Sequence, residues 1–288
     1  MGKNAIPASP RPAELAIGLP AADIQHHVVT APDGKRAYRV SVWTPPLGPV
    51  PSTGYPLVIM LDGNAVFDSL TRTDDALPAG QSLQAVVVGV DHEPRDHADA
   101  KPFDPKANLA ERSYDYTPPS PGADAPRGAP NNPHAVGWAK RGGGADQFLD
   151  LLLQHIVPLV QARYPVDPGN RNLYGHSYGG LFVLHAALTR PRAFQRYVAA
   201  SPSIWWNNNF ILQALASPSP VLPAGIDITV MAGAEAKGQD ALPDSPESVV
   251  RALSRITHVR ADLQVFPGLG HGAMLPASLA ATLQRYVK

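Results

Sequence analysis

Residues 172–183 read "NLYGHSYGGLFV": an apolar approach, a serine fenced by glycines, and a second apolar run. Taken as G-x-S-x-G over Gly175, His176, Ser177, Tyr178 and Gly179, this is a sharp strand-to-helix turn. The serine sits at a strained backbone position, and the glycines remove side chains that would clash where strand meets helix. Such a turn holds Ser177 Oγ above a sheet edge. A following helix over 180–189 would point its unpaired N–H groups and the positive end of its dipole at negative charge forming there. That geometry suits acyl transfer. The same five residues taken alone also describe a plain Gly/Ser connection, so the surrounding sequence has to decide.

Working outward, residues 145–165, "ADQFLDLLLQHIVPLVQARYP", repeat apolar residues at helical spacing and predict a long helix bent near Pro158. Upstream, "YPLVIMLDGNA" (55–65) and "LQAVVVGVDH" (83–92) are apolar throughout, as strands buried on both faces of a largely parallel sheet are, with helical character between them. "HHVVTAPDGKRAYRVSVWTPP" (26–46) reads as a hairpin turning at Asp33-Gly34. Downstream, "FQRYVAASPSIWW", "IDITVMAGAE" and "ADLQVFPGLGHG" read as strands each followed by a loop, and "LPASLAATLQRYV" as a closing helix. Strand-helix alternation of this kind predicts an α/β protein with one doubly wound, mostly parallel sheet opened by antiparallel strands. Residues 23–288 form the predicted domain, with 1–22 as an N-terminal extension. The polar, Pro- and Gly-rich stretch 91–141 is too long for an ordinary connection and reads as an elaborated loop capping a site.

Composition narrows the function. The chain has 288 residues and 44% hydrophobic content, enough for one large core. Lys+Arg and Asp+Glu both number 24, so no excess of positive charge points to a nucleic acid or an anionic membrane surface. With no cysteine, disulfides, thiolate metal sites and a cysteine nucleophile are excluded. The opening residues lack the apolar core of an export signal, no run approaches the roughly 20 residues of a membrane span, and cytoplasm and periplasm remain equally open. No metal or other cofactor is expected, because the histidines show no i, i+4 pair beside a carboxylate, and His26 and His27, adjacent in a strand, face opposite ways. The expected partner is a small ester substrate; oligomeric state is left open.

A serine nucleophile needs a base, and in hydrolases with this turn the acid follows the serine along the chain and the histidine comes last. Of ten histidines, His271 alone stands between glycines after the last strand, and it is the expected general base. His176 reads as a packing residue, or as one that supports the reacting groups from behind, with its side chain pointing away from the site. Glu235, after "DITVMAGA", is the candidate for the orienting carboxylate, with Asp240 and Asp244 as competitors. The oxyanion would be met by the backbone N–H of Tyr178 and by the turn in "LDGNAVFD", where Gly63 permits unusual angles and Asn64 offers its N–H.

"LDGNAVFD", "ERSYDYTP", "GGGADQFL", "YGHSYGGLFVLHAAL", "SPSIWWNN" and the terminal "GLGHG", in that order, resemble the Putative esterase family of α/β-hydrolases, and within it the hydrolases of the trilactone siderophores enterobactin and salmochelin. The likeness runs from about residue 23 to the C-terminus. It implies that Ser177 attacks a trilactone ester, that His271 is its base, and that Gly63 or Asn64 with Tyr178 lines the oxyanion hole. It also implies that Arg112 and Tyr114 face the ligand; a guanidinium suits a ferric tris-catecholate, which is anionic and presents flat rings. An Arg112 that pairs with Asp115 is the structural alternative. Trp205 and Trp206 are candidates for an aromatic wall, with at least one expected in the core. A Ser-His pair without an acid, and a full triad with Glu235, both fit the family. A general small-acyl, feruloyl or S-formylglutathione esterase and a non-catalytic binding protein on the same scaffold are the competing readings.

Overall fold

Alternate residues of a strand face opposite sides of a sheet, and the two apolar runs use both sides. In β3 (Tyr55–Leu61), Leu57, Ile59 and Leu61 enter one core, Val58 and Met60 the other. In β4 (Val86–His92), Val86, Val88 and Val90 face the first core and Val87 the second. The structure, a computed structural model, describes residues 17–46, 49–72, 77, 80–93, 109–119, 142–216, 222–234 and 245–288.

β1 (Gln25–Thr30) and β2 (Ala37–Trp43) form the expected antiparallel hairpin, Thr30 opposite Ala37, and β2 pairs antiparallel with β4. β3 and β4 run parallel with β5 (Val166–His176), β6 (Arg196–Ala200), β7 (Ile226–Ala234) and β8 (Val259–Pro267). The eight strands make one sheet in the order β1-β2-β4-β3-β5-β6-β7-β8. α1 (Gly63–Thr71) and the C-terminal α7 (Met274–Gln284) cover one face. The other face is covered by the helix α3 of residues 145–163, by α4 (Tyr178–Thr189), by the segment α5 (Trp206–Ala216) and by α6 (Pro246–Leu253). Ile17 and Leu19, in the stretch read as an extension, are buried in the α1/α7 core, and the Leu19 N–H bonds the Leu70 carbonyl at 2.9 Å.

Two elements differ from expectation. The irregularity expected at Pro158 is a π turn at Leu152–Ile156, between the α-helical segments Ala145–Leu151 and Val157–Arg163. Proline crowds the carbonyl four residues back, and a widened turn just before it relieves that contact. Within 91–141, read as one long loop, Leu109–Tyr116 form a helix, α2. Only two turns long and surrounded by Pro and Gly, it gives too little apolar repeat to be recognised from pattern alone.

Candidate active site

β5 ends at His176 and α4 begins at Tyr178, which leaves Ser177 between them at φ 61° and ψ −117°. Few non-glycine residues occupy that region, and they persist there only when neighbours hold them. Here the Ser177 N–H donates to Ala200 O at 2.9 Å, and the Ser177 carbonyl accepts from Leu181 and Ser203 N–H, each at 3.1 Å. The glycines divide the work unequally. A Cβ at Gly175 would stand 2.3 Å from the Gly179 carbonyl oxygen, and one at Gly180 would stand 2.8 Å from Ala200 O. At Gly179 the nearest atom would be Leu61 Cβ at 3.5 Å, an ordinary contact. The two bare positions the turn requires are 175 and 180, not 175 and 179.

His271, on the loop after β8, sets its Nε2 3.1 Å from Ser177 Oγ, and Ser203 Oγ lies 3.4 Å from the same oxygen. Desolvation and then the Arg112 charge hold the His271 pKa below its ordinary value, so at neutral pH Nε2 is an acceptor for the serine proton. His271 is exposed and Ser177 partly so, which places the reacting pair at the rim of the sheet's C-terminal edge, where α/β proteins hold their ligands.

α2 fastens the loop after β3 to this turn. Asp62 is left-handed at φ 58° and ψ 49°, and its carboxylate receives the fork of Arg112: Nε to Oδ1 at 2.6 Å, Nη2 to Oδ2 at 2.8 Å. One helical turn further on, Tyr116 Oη accepts the Asp62 N–H at 3.1 Å. Nη2 of Arg112 also donates to the His176 carbonyl at 3.1 Å, and the guanidinium lies over the rings of Tyr116 and Tyr178. Burial opposes the Arg112 charge, but Asp62 more than offsets it and raises the pKa. Gly63 begins α1 in close approach to β4, since a Cβ there would lie 2.5 Å from the Gly89 carbonyl carbon. The Asn64 N–H is committed to Asp91 Oδ2 at 3.0 Å. Burial, and then the nearby Asp62, raise the Asp91 pKa.

The family described as Putative esterase matches residues 124–220. Over 279 residues the chain is 30% identical to the ferri-bacillibactin esterase BesA of Bacillus subtilis strain 168, covering 93% of this chain and 90% of that protein. It is 34% identical over 264 residues to the apo-salmochelin esterase of Escherichia coli O6:H1 strain CFT073, covering 87% and 75%. Among solved structures, the enterobactin and salmochelin hydrolase IroE matches at 30% identity and a TM-score of 0.69, over 91% of this chain and 94% of that one. The chain belongs to the Putative esterase family. It is a serine ester hydrolase of α/β fold.

In this esterase Ser177, His271, Tyr178 and Gly63 gather at one edge of the sheet. Glu235, Asp240 and Asp244 lie outside the described residues. Asn64 does not offer its N–H to an oxyanion, because a buried carboxylate already holds it. The Arg112 fork closes on Asp62, while Asp115, its alternative partner, is fully buried among Arg36, Tyr38 and His92. Tyr114 leans the other way along α2: its hydroxyl donates to Gln147, Arg36 stands over its ring, and Gly144 backs onto it. Trp206 is a core residue at 3% exposure, whereas Trp205 is half-buried with its ring 5.9 Å from that of Tyr178. His176 does not point away from the site. Its Nε2 donates to the His271 carbonyl at 3.0 Å, with ring centroids 4.7 Å apart. Sequence reasoning missed Asp62, Tyr116 and Ser203. The i, i+4 spacing of Arg112 and Tyr116 in "RSYDY" was the available signal for Tyr116; nothing local marks Asp62 or Ser203.

Proposed function

We propose that this esterase hydrolyses the backbone esters of a catecholate trilactone siderophore of the enterobactin and salmochelin type, which releases iron by converting a macrocycle into weaker linear chelators. What carries the reading is the Ser177–His271 pair at 3.1 Å in a chain 30% identical to a ferri-bacillibactin esterase over 90% of that protein's length. The exposed His271 also suits a bulky substrate, since an ester inside a rigid macrocycle can reach the rim without entering a narrow pocket.

In the proposed mechanism Ser177 Oγ attacks the ester carbonyl as its proton passes to His271 Nε2. The tetrahedral oxyanion faces the N–H of Tyr178 at the start of α4 and the N–H of Gly63 at the start of α1, two helix ends whose dipoles favour negative charge. The imidazolium of His271 then protonates the departing seryl hydroxyl. Water, activated by the same imidazole, frees the acyl group and restores Ser177. An orienting carboxylate, if Glu235 supplies one, would act on the far nitrogen of His271.

The test is chromatography with mass spectrometry of ferric and iron-free trilactone after incubation with wild type and Ser177→Ala, with p-nitrophenyl acetate and butyrate alongside. Linear products from wild type and none from Ser177→Ala are expected. Cleavage of the small esters alone would refute the substrate and keep the esterase; no cleavage of either would favour a binding protein.

A further inference from the structure

We infer that His176, which precedes the nucleophile, is a positioning residue for the general base, and that it works by donating its Nε2–H to the backbone carbonyl of His271. The inference rests on the Ser177–His271 pair acting as base and nucleophile, though not on the identity of the ester.

His271 sits on an exposed stretch, residues 271–273, and a base on a loosely held loop spends little time at reacting distance. The loop is fastened at its two ends: Gly268 N–H bonds Ala234 O at 2.6 Å, and Met274 N–H bonds Gly270 O at 3.1 Å. Neither bond refers His271 to the serine. Among the described residues, the backbone link between the base and the nucleophile turn is the 3.0 Å contact from His176 Nε2 to His271 O.

The geometry fixes the chemistry of that contact. A carbonyl only accepts, so Nε2 of His176 carries the proton and, in the neutral ring, Nδ1 does not. The His176 backbone is immobilised in turn: it closes β5, pairs with Ala200 and gives its carbonyl to Arg112 Nη2 at 3.1 Å. His176 therefore transmits the position of the nucleophile strand to the base loop: one residue places Ser177 through its backbone and His271 through its ring. Among the described residues, the charged and titratable groups around the His176 ring are His271, Asp62 and Arg112. Burial, and then the neighbouring His271, push the His176 pKa down to about 4, so the ring stays neutral while His271 gains a proton during turnover 4.7 Å away. Two adjacent imidazolium rings would oppose that proton transfer.

Two substitutions separate the donor from the ring. In glutamine the side-chain amide nitrogen falls close to the place of histidine Nε2, so His176→Gln keeps a donor and loses the ring. His176→Phe keeps a ring and loses the donor. The readouts are kcat and KM on a p-nitrophenyl ester, and the rate of Ser177 phosphorylation by diisopropyl fluorophosphate, with loss of fluoride, followed by intact-protein mass; Ser177→Ala is the control and thermal melting the check on folding. The phosphorylation rate reports the Ser–His pair whether or not any siderophore is a substrate, so failure of the substrate reading leaves the test intact.

For His176→Phe we expect about a tenfold loss in kcat and in phosphorylation rate at nearly unchanged KM, the loss of one oriented hydrogen bond. His176→Gln should return to within about threefold of wild type. Full activity in His176→Phe overturns the inference. So does an equal loss in folded His176→Phe and His176→Gln, which would place the role in the ring and not in the donor, and so does phosphorylation that persists in Ser177→Ala.

Discussion

Adding one carbon to the nucleophile turn tests whether the glycine pattern was assigned for the right reason. At Gly175 the new Cβ would lie 2.3 Å from the Gly179 carbonyl oxygen and 2.4 Å from its carbon, where ordinary contact begins at 3.4 Å, so strand and helix must part by 3.4 − 2.3, about 1 Å. Both clashing atoms are backbone, and neither can swing aside. Gly180→Ala meets Ala200 O at 2.8 Å and Pro202 Cα at 2.9 Å, a similar wall. Overpacking of this kind costs about 1–3 kcal/mol, and a displacement of about 1 Å in a reacting group costs on the order of 100-fold in rate. Gly179→Ala meets only Leu61 and the Asp62 carboxylate, at 3.5 Å or more. Its helical position would gain up to about 1 kcal/mol of propensity. The assay is kcat/KM on p-nitrophenyl butyrate for the three purified variants, with thermal melting in parallel. Gly175→Ala and Gly180→Ala should lose about 100-fold or more, and Gly179→Ala should stay within about threefold of wild type, the range of a substitution that meets no backbone. If Gly179→Ala is as damaged as Gly175→Ala, or Gly175→Ala is fully active, the close approach of β5 and α4 described here is wrong.

Arg112→Lys should lower kcat about 10-fold or more on a small neutral ester at unchanged KM, because a lysine cannot hold Asp62 and the His176 carbonyl together; an effect seen only in KM for an anionic siderophore would instead mark Arg112 as a ligand contact. The acid limb of kcat/KM should fall at a pKa below the ordinary histidine value of about 6.5, since desolvation and Arg112 both lower that of His271, and a limb above it would contradict that setting. His176 should make the fold acid-sensitive: its pKa is lowered to about 4, so the unfolded chain binds the extra proton. That contribution is complete above about pH 6.5 and is lost as pH falls toward the folded value, up to about 3–4 kcal/mol (6.5 − 4, at about 1.4 kcal/mol per unit). The melting difference between pH 7 and pH 4 should therefore shrink in His176→Gln. Tyr38→Phe removes the hydroxyl that donates to fully buried Asp115 at 2.6 Å and should cost about 1–3 kcal/mol in denaturant unfolding.

The parts of this molecule legible in its sequence are those in which local pattern and global role coincide. Val86–His92 is apolar at every residue because both its faces are covered, and Ser177 is bracketed by glycines because a strand and a helix cross there. His271 is marked in the sequence by its place between glycines after the last strand, although no neighbour in the chain identifies Ser177 as the group it contacts. What stayed hidden depends on contacts between distant segments. The direction of the His176 ring is set by the loop carrying His271, 95 residues away. The partner of Arg112 is Asp62, 50 residues upstream, and not Asp115, three residues on, because Asp115 faces β2 and is held there by Arg36 and Tyr38. A helix places residues three apart on neighbouring but distinct surfaces, and reading 91–141 as a loop concealed that division.

The role of α2 follows from the same division. Asp62 is a non-glycine residue in the left-handed region at the end of β3, a conformation that costs on the order of 1 kcal/mol and persists only under external restraint. α2 supplies the restraint from two residues one turn apart, Arg112 on the Asp62 carboxylate and Tyr116 on its N–H. On its adjoining face Asp115 ties the helix into β2 and β4 through Tyr38 and His92, so the clamp is anchored to the sheet it acts upon. The N–H of Gly63 follows directly on Asp62, and its direction is therefore set by the clamp. Substitutions in α2 should for that reason alter turnover of every ester the enzyme accepts, a neutral p-nitrophenyl ester included, whereas a segment that only contacted the siderophore would change one substrate and leave the other unaffected.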